Sequence, residues 1–316
     1  MVDKKVIVIF GATGGQGGGL ANAILDDPNS EFSVRAVTRY LNSEKAQSLK
    51  QKGAEIVNGD IDDPASLQRA LQGAYGAYFV TFFWDHFSPE REKSEAKSMA
   101  AAAMEANLKH VIWSTLEDTR LYIPLSDERM PTLMEKYKVP HFDAKGESDK
   151  FFTEAGVPTT FLLTSFYWDN FINFGMGPKL SEGGKYAITL PMGDKKLPGI
   201  AVQDIGKCAY GIFKSPEEFI GKRVGIAGGH LTGAEMARSL GKALSLDVEY
   251  NKVPFDVYRS FGFPGADDLG NMFQFNHDFA DTFIGTRSID LSKKLNPELK
   301  TFEMWLEENA ERIPME

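Results

Sequence analysis

The residues with the clearest chemistry come early in the chain. Gly11-Ala12-Thr13-Gly14-Gly15-Gln16-Gly17 follows an apolar run, Val6–Phe10, and opens a stretch of helical character, Gly14–Leu25. A strand that turns in this way into a helix offers bare backbone amides and the positive end of a helix dipole to a phosphate. A Cβ on that approach would block a pyrophosphate. Gly11, Gly14 and Gly17 remove it where the chain must turn, admit the ligand and let helix pack on strand. Thr13, Gly15 and Gln16 complete the loop. A glycine cluster alone is a weak signal, but this one sits between a first strand and a first helix, with a second strand at the expected distance. That placement points to a dinucleotide.

The choice between cofactors is made at the end of the second strand. An acidic residue there binds the ribose hydroxyls of NAD and repels a 2′-phosphate. This chain has Thr38-Arg39 instead, with Lys45 about a turn further on. An arginine fork makes planar, charge-assisted bonds to phosphate, so NADP(H) is expected and NAD(H) more weakly. Asn58-Gly59-Asp60 ends the third strand and brings Asp60 to the sheet edge near the adenine. Thr81 ends the fourth and approaches the nicotinamide, with Phe82, Phe83 and Trp84 as a wall.

These residues need a scaffold that delivers strand ends to one edge. Apolar runs at Val6–Phe10, Phe32–Thr38, Ala54–Asn58, Ala77–Phe83, His110–Ser114 and Thr159–Thr164 alternate with helical stretches at Gly14–Leu25, Ser43–Lys52, Pro64–Leu71, Glu90–Asn107 and His141–Ala155. Such alternation predicts an α/β fold, a doubly wound parallel Rossmann sheet with helices on both faces. It assigns 1–164 to the dinucleotide-binding domain. Residues 165–316 then form most of a smaller, interleaved α/β lobe on the substrate or partner side. Val202–Phe213 and Arg223–Ala227 read as a return to the sheet, within 199–228. Thr232–Ser245 and Phe302–Ala310 read as helices.

Composition narrows the function classes. A net charge of −9 argues against direct nucleic-acid or anionic-membrane binding, which requires a basic surface. Cys208 is the only cysteine, so an intrachain disulfide and a cysteine-rich zinc site are excluded; the five histidines are scattered without metal spacing. The opening MVDKKVIVIFGATG is unlike a secretory signal, and no apolar run reaches membrane-spanning length. The cytosol is the expected compartment, with nuclear entry open.

In this order, GATGGQG, Thr38-Arg39, Gly59-Asp60, His-Phe-Asp-Ala-Lys-Gly-Glu at 141–147, Tyr167-Trp168-Asp169-Asn170 and Gly262-Phe263-Pro264-Gly265-Ala266 resemble the NmrA-like family, atypical members of the extended short-chain dehydrogenase superfamily. The resemblance spans nearly the whole chain and is strongest to the NADPH-binding redox sensors of that family. It implies NADP(H) contacts from the glycine loop, Arg39, Asp60, Thr81, Lys145 and the Tyr167–Asn170 segment. Leu163-Thr164-Ser165 departs from the Arg-Pro that many relatives carry there, which alters the nicotinamide pocket.

Orthodox members use a Tyr-x-x-x-Lys pair on one helical face and a serine at the end of the fifth strand. Here Ser114 and Lys145 stand in place, but the tyrosine position holds His141. Two functions follow. One is a sensor whose conformation reads the NADPH/NADP balance for a protein partner. The other is an NADPH-dependent reductase of a small carbonyl, quinone or enone, with proton transfer by Lys145 with or without His141. The missing tyrosine favours the sensor. A Ser114–His141–Asp143 hydrolase lacks a nucleophile elbow. Apolar faces on Glu90–Asn107 suit either core or a homodimer surface.

Overall fold

The first apolar run is buried on both of its faces. In β1 (Lys5–Ile9), Ile7 and Ile9 enter one core, while Val8 and the following Phe10 enter another on the opposite side. A strand with no polar face needs helices above and below it, which is what a doubly wound sheet supplies. The computed structural model describes residues 4–181 and 183–315.

Among these, eight strands form the main sheet. Besides β1 they include β2 (Phe32–Thr38), β3 (Glu55–Asn58), β4 (Gly76–Phe79), β5 (His110–Thr115) and β6 (Thr159–Leu163). Their order is β6-β5-β4-β1-β2-β3, all parallel, and Arg223–Ile226 and then Arg287–Ser288 extend the β6 edge. The connecting helices are α1 (Gly15–Leu25), α2 (Glu44–Gln51), α3 (Pro64–Leu71), α4 (Pro89–Glu105) and α5 (Pro140–Glu154). Ser43, Asp63 and Ser88 cap α2, α3 and α4 through their side chains. The apolar face of α4, with Ala96, Met99, Ala100 and Ala103, is core. No helix among the described residues is long and apolar enough to cross a membrane.

Two sequence expectations are corrected. Val202–Phe213 is a helix rather than a strand: Ile205, Ala209 and Ile212, spaced i, i+4 and i+7, share its buried face. It lies close against α1. A Cβ on Gly19 would enter the Gln203 backbone, and one on Gly206 would enter the backbone of α1. The return to the sheet is thus made by Arg223–Ile226 and Arg287–Ser288. The fourth strand, expected through Phe83, ends at Phe79. The chain then turns through a short 3-10 helix, Phe83–Asp85, and lays its aromatic residues along the cleft.

A separate apolar core, including Phe166, Trp168, Phe171, Phe273 and Trp305, builds the second lobe. Two three-stranded sheets flank it, one of which joins Phe166–Tyr167, Lys196–Ile200 and Gly229–Thr232. The helix Ala266–Asp278 was not legible in the sequence and is almost wholly buried. Arg287 is fully buried. It makes a bidentate pair with Glu117 (2.6 and 2.8 Å) and so fastens the last strand to the loop after β5.

Candidate functional site

Carboxyl ends of parallel strands leave a crevice where the chain direction switches, and here it opens as a cleft of about 670 Å³. Most of the residues singled out in the sequence line it, and Lys45 and Asp143 do not. Gly11, Thr13, Gly14, Gly15, Gln16 and Gly17 come from the first turn. Arg39, Asp60, Thr81 and Phe82 follow the next strands, and Ser114, His141, Lys145, Tyr167 and Asn170 come from the far side.

The turn has the shape a phosphate requires. Gly11 sits at φ +68°, a left-handed conformation that favours glycine, and its carbonyl accepts the Gly14 N–H at 2.8 Å. A Cβ on Gly17 would lie 2.5 Å from the Gly11 carbonyl oxygen. Gly14 and Gly15 are exposed to the cleft, no side chain caps α1, and its first turn holds no acidic residue. The three helices that follow are capped by their own side chains. The first keeps its N–H groups for a ligand, so the loop fits a dinucleotide pyrophosphate.

The outer end of the cleft is open. The Arg39 side chain is 56% exposed, 4.0 Å from the Asp85 carboxylate and 5.9 Å from the centre of the Tyr40 ring. Asp60 accepts the Asp62 N–H at 3.1 Å, and its own N–H donates to Ser66 Oγ at 2.9 Å, so it also shapes a turn.

The inner end is buried and densely bonded. Gln16 Oε1 accepts from Tyr78 Oη (2.5 Å) and Ser114 Oγ (2.9 Å), while Gln16 Nε2 donates to Tyr167 Oη (2.7 Å). One amide thereby ties the glycine loop to β4, β5 and the second lobe. Burial raises both tyrosine hydroxyls above their ordinary range, which keeps them protonated.

Lys145 spends all three ammonium N–H groups within the protein, on the Thr81 carbonyl (3.2 Å), Thr81 Oγ1 (2.6 Å) and Glu92 Oε1 (2.6 Å). Thr81 Oγ1 in turn donates to Glu92 at 2.5 Å. Glu92 is fully buried. Burial alone would raise its carboxyl, but the Lys145 charge, the nearby His86 ring and hydrogen bonds from Lys145 and Thr81 outweigh it and hold it at about 2. His86, Glu92 and Glu95 bring ligand-type atoms within 4.8 Å of one another, a group that sequence spacing did not reveal. His86 Nδ1 accepts the Ser88 N–H at 3.0 Å, which places the imidazole proton on Nε2, 3.5 Å from Glu92 Oε2. The imidazole thus faces the Glu92 carboxylate behind Lys145 without a hydrogen bond between them, and its tautomer is the wrong one for a metal on Nε2.

His141 forms a second carboxylate pair. Its Nδ1 lies 2.7 Å from Asp268 Oδ1, and its backbone N–H donates to Oδ2 of the same residue at 3.2 Å. Since a carboxylate only accepts, Nδ1 carries the proton and Nε2 is left for the cleft. Trp84 and Phe83 flank the ring at 4.8 and 5.9 Å. Asp268 comes from the Ala266–Asp278 helix, 127 residues away, so no local spacing could reveal it. Glu92 lay within a helix read from the sequence, on the side turned toward Thr81.

Ser114, Lys145 and His141 therefore share one cleft but belong to three different networks. Asp143, buried in the first turn of α5, accepts the backbone N–H groups of Thr119, Lys138 and Val139. It is a structural residue, which removes the hydrolase reading altogether. Asn170 opens the short helix Asn170–Asn173 on the cleft wall, and Trp168 of the same segment is core.

A glycine turn after β1, an uncapped first helix and a doubly wound parallel sheet define a Rossmann-type fold with a second lobe over the cleft. The chain belongs to the NmrA-like family, whose model matches residues 3–306. It is 27% identical over 292 residues to the NmrA-like family domain-containing oxidoreductase FrzB of Cladobotryum sp, covering 85% of this chain and 83% of that one. Its fold matches NmrA, a negative transcriptional regulator solved in complex with NADP (TM-score 0.78, 22% identity, 97% and 95% coverage). It also matches the Citrobacter sp. triphenylmethane reductase complexed with NADP(H) (TM-score 0.72, 22% identity, 97% and 99% coverage).

Proposed function

We propose that this protein is an NADP(H)-dependent reductase of an apolar carbonyl, quinone or enone, with His141 as the proton donor. The observation that carries the reading is the His141–Asp268 pair, which supplies the acid that the missing tyrosine would have been. NADP complexes of proteins with this fold, and the oxidoreductase name of a relative across most of the chain, support it. The glycine loop and the N-terminus of α1 would hold the pyrophosphate, and Arg39 the 2′-phosphate. NAD(H), lacking that phosphate, would bind more weakly. When bound, the reduced nicotinamide supplies a hydride to the acceptor carbon. His141 protonated on both ring nitrogens delivers its Nε2 proton to the acceptor oxygen, completing the alcohol, the hydroquinone or, from an enone, the enol, and returns to the neutral ring whose Nδ1–H stays on Asp268. Trp84, Phe142 and Phe166 line the inner cleft and exclude water from that transfer.

Lys145 supports a second reading. With its three N–H groups on Thr81 and Glu92, it is placed to brace the cleft, which suits a sensor whose lobes respond to cofactor for a protein partner. NADPH oxidation across quinones, enones, aldehydes and ketones separates the two. The reductase reading expects turnover that falls about 100-fold in His141→Phe and in Asp268→Asn, with NADPH affinity unchanged. Tight NADPH binding without turnover on any acceptor would replace it with the sensor.

A further inference from the structure

We infer that the inner chamber takes a flat aromatic ligand that carries a hydroxyl group at the end remote from its reducible carbon, and that Asn276 recognises this hydroxyl. The inference rests on the reading of this chamber as a substrate site. Leu269, Met272 and Asn276 are spaced i, i+3 and i+7 on the Ala266–Asp278 helix and all three line the cleft. The first two make an apolar wall, continued by Phe142 and Phe283.

Asn276 breaks that wall. It is 3% exposed, and its Oδ1 is buried without a hydrogen-bond partner among the described residues. The amides nearby on the same helix are fully used. Asn271 donates to the Pro131 and Lys138 carbonyls, and Gln274 donates to the Arg129 carbonyl. A buried amide oxygen with no partner is rare and costly, and within a ligand-sized cleft a ligand is its simplest explanation. A trapped water is a poorer one, because a buried water needs two to four polar partners and Leu269, Met272, Phe142 and Phe283 of this wall offer none. A hydroxyl can donate to Oδ1 and accept from the amide N–H₂, so it satisfies either face of the group.

The same helix fixes the ligand's length. Asp268, which aims His141, and Asn276 lie eight residues apart, about 12 Å along the axis. A ligand that meets both His141 and Asn276 therefore runs along this helix and is extended rather than compact. A ring joined to an enone does this; a simple ketone or a single-ring quinone does not.

The test compares binding of benzylideneacetone and 4-hydroxybenzylideneacetone to the NADP⁺-loaded protein by calorimetry, without turnover. Wild type should prefer the hydroxylated probe by at least about 10-fold. In Asn276→Leu the preference should fall to within about twofold, with NADP⁺ affinity as in wild type. Equal affinity of the two probes for wild type, no binding of either, or a preference that survives in Asn276→Leu would each overturn the inference. If the leucine variant does not fold, the wild-type comparison decides alone. A preference without NADPH oxidation would retain Asn276 and discard the reductase. Oxidation without a preference would do the reverse.

Discussion

The two ends of the cleft are built on opposite principles. The outer end is made of backbone and one exposed side chain: glycine amides, an uncapped helix and an arginine more than half in solvent. Its groups wait for a ligand to bond them. The inner end is made of buried side chains already paired within the protein, Lys145 with Glu92 and Thr81, Gln16 with three hydroxyls, and His141 with Asp268. Changes at the outer end should alter affinity while leaving the fold intact. Changes at the inner end should act first on stability, because removing one partner strands the other in low dielectric.

The largest effect expected of this contrast is at Glu92. Glu92→Gln keeps the shape but leaves the Lys145 ammonium without its counter-charge, and should cost about 3 kcal/mol of unfolding free energy in chemical denaturation. Pairing Lys145→Met with Glu92→Leu should recover most of that loss, since an apolar pair leaves no stranded charge. The same pair gives a pH signature. A carboxyl held at about 2, below its ordinary 4.5, contributes its stability in full above about pH 5 and loses it as the pH falls through about 2. Wild type should therefore lose stability across that acid window, and Glu92→Gln should lose less. An unchanged acid slope would remove Glu92 from the account.

Arg39 offers a smaller effect of a different kind. Arg39→Glu should weaken NADPH binding by roughly 2 kcal/mol with unfolding unchanged, and NADH binding should change much less. Equal losses for the two cofactors would break the assignment to the 2′-phosphate. The smallest expected effect is at Asp85, 4.0 Å from Arg39 and itself 60% exposed. Asp85→Asn should tighten NADPH by less than about 1 kcal/mol, because solvent screens exposed pairs, and the gain should vanish at high salt. Tightening of NADH to the same degree would mean that Asp85 does not act through Arg39.

The outer end was nearly complete in the sequence. The strand, turn and first helix lie within 25 residues, and the arginine stands at the end of the next strand, so local pattern and a fixed strand order suffice to assemble them. The parallel alternation was legible for the same reason. Val202–Phe213 was misread because a short apolar run looks alike in a buried strand and a buried helix; only its contact with α1, through Gly19 and Gly206, distinguishes them.

What the sequence by itself determined was therefore whatever depends on neighbours along the chain: the fold class, the glycine turn between first strand and first helix, the basic residue where NAD would want an acid, and the absence of the usual tyrosine. Tertiary structure alone decided the partners of the ionisable groups. Thr81 meets Lys145 across 64 residues, His141 meets Asp268 across 127, and Asn276 reaches the chamber from a helix that no local signal marked. Those pairings are set by how the second lobe folds back over the sheet. Desolvation and charge act through space, so the protonation and reach of a side chain follow from what packs against it and not from what precedes it.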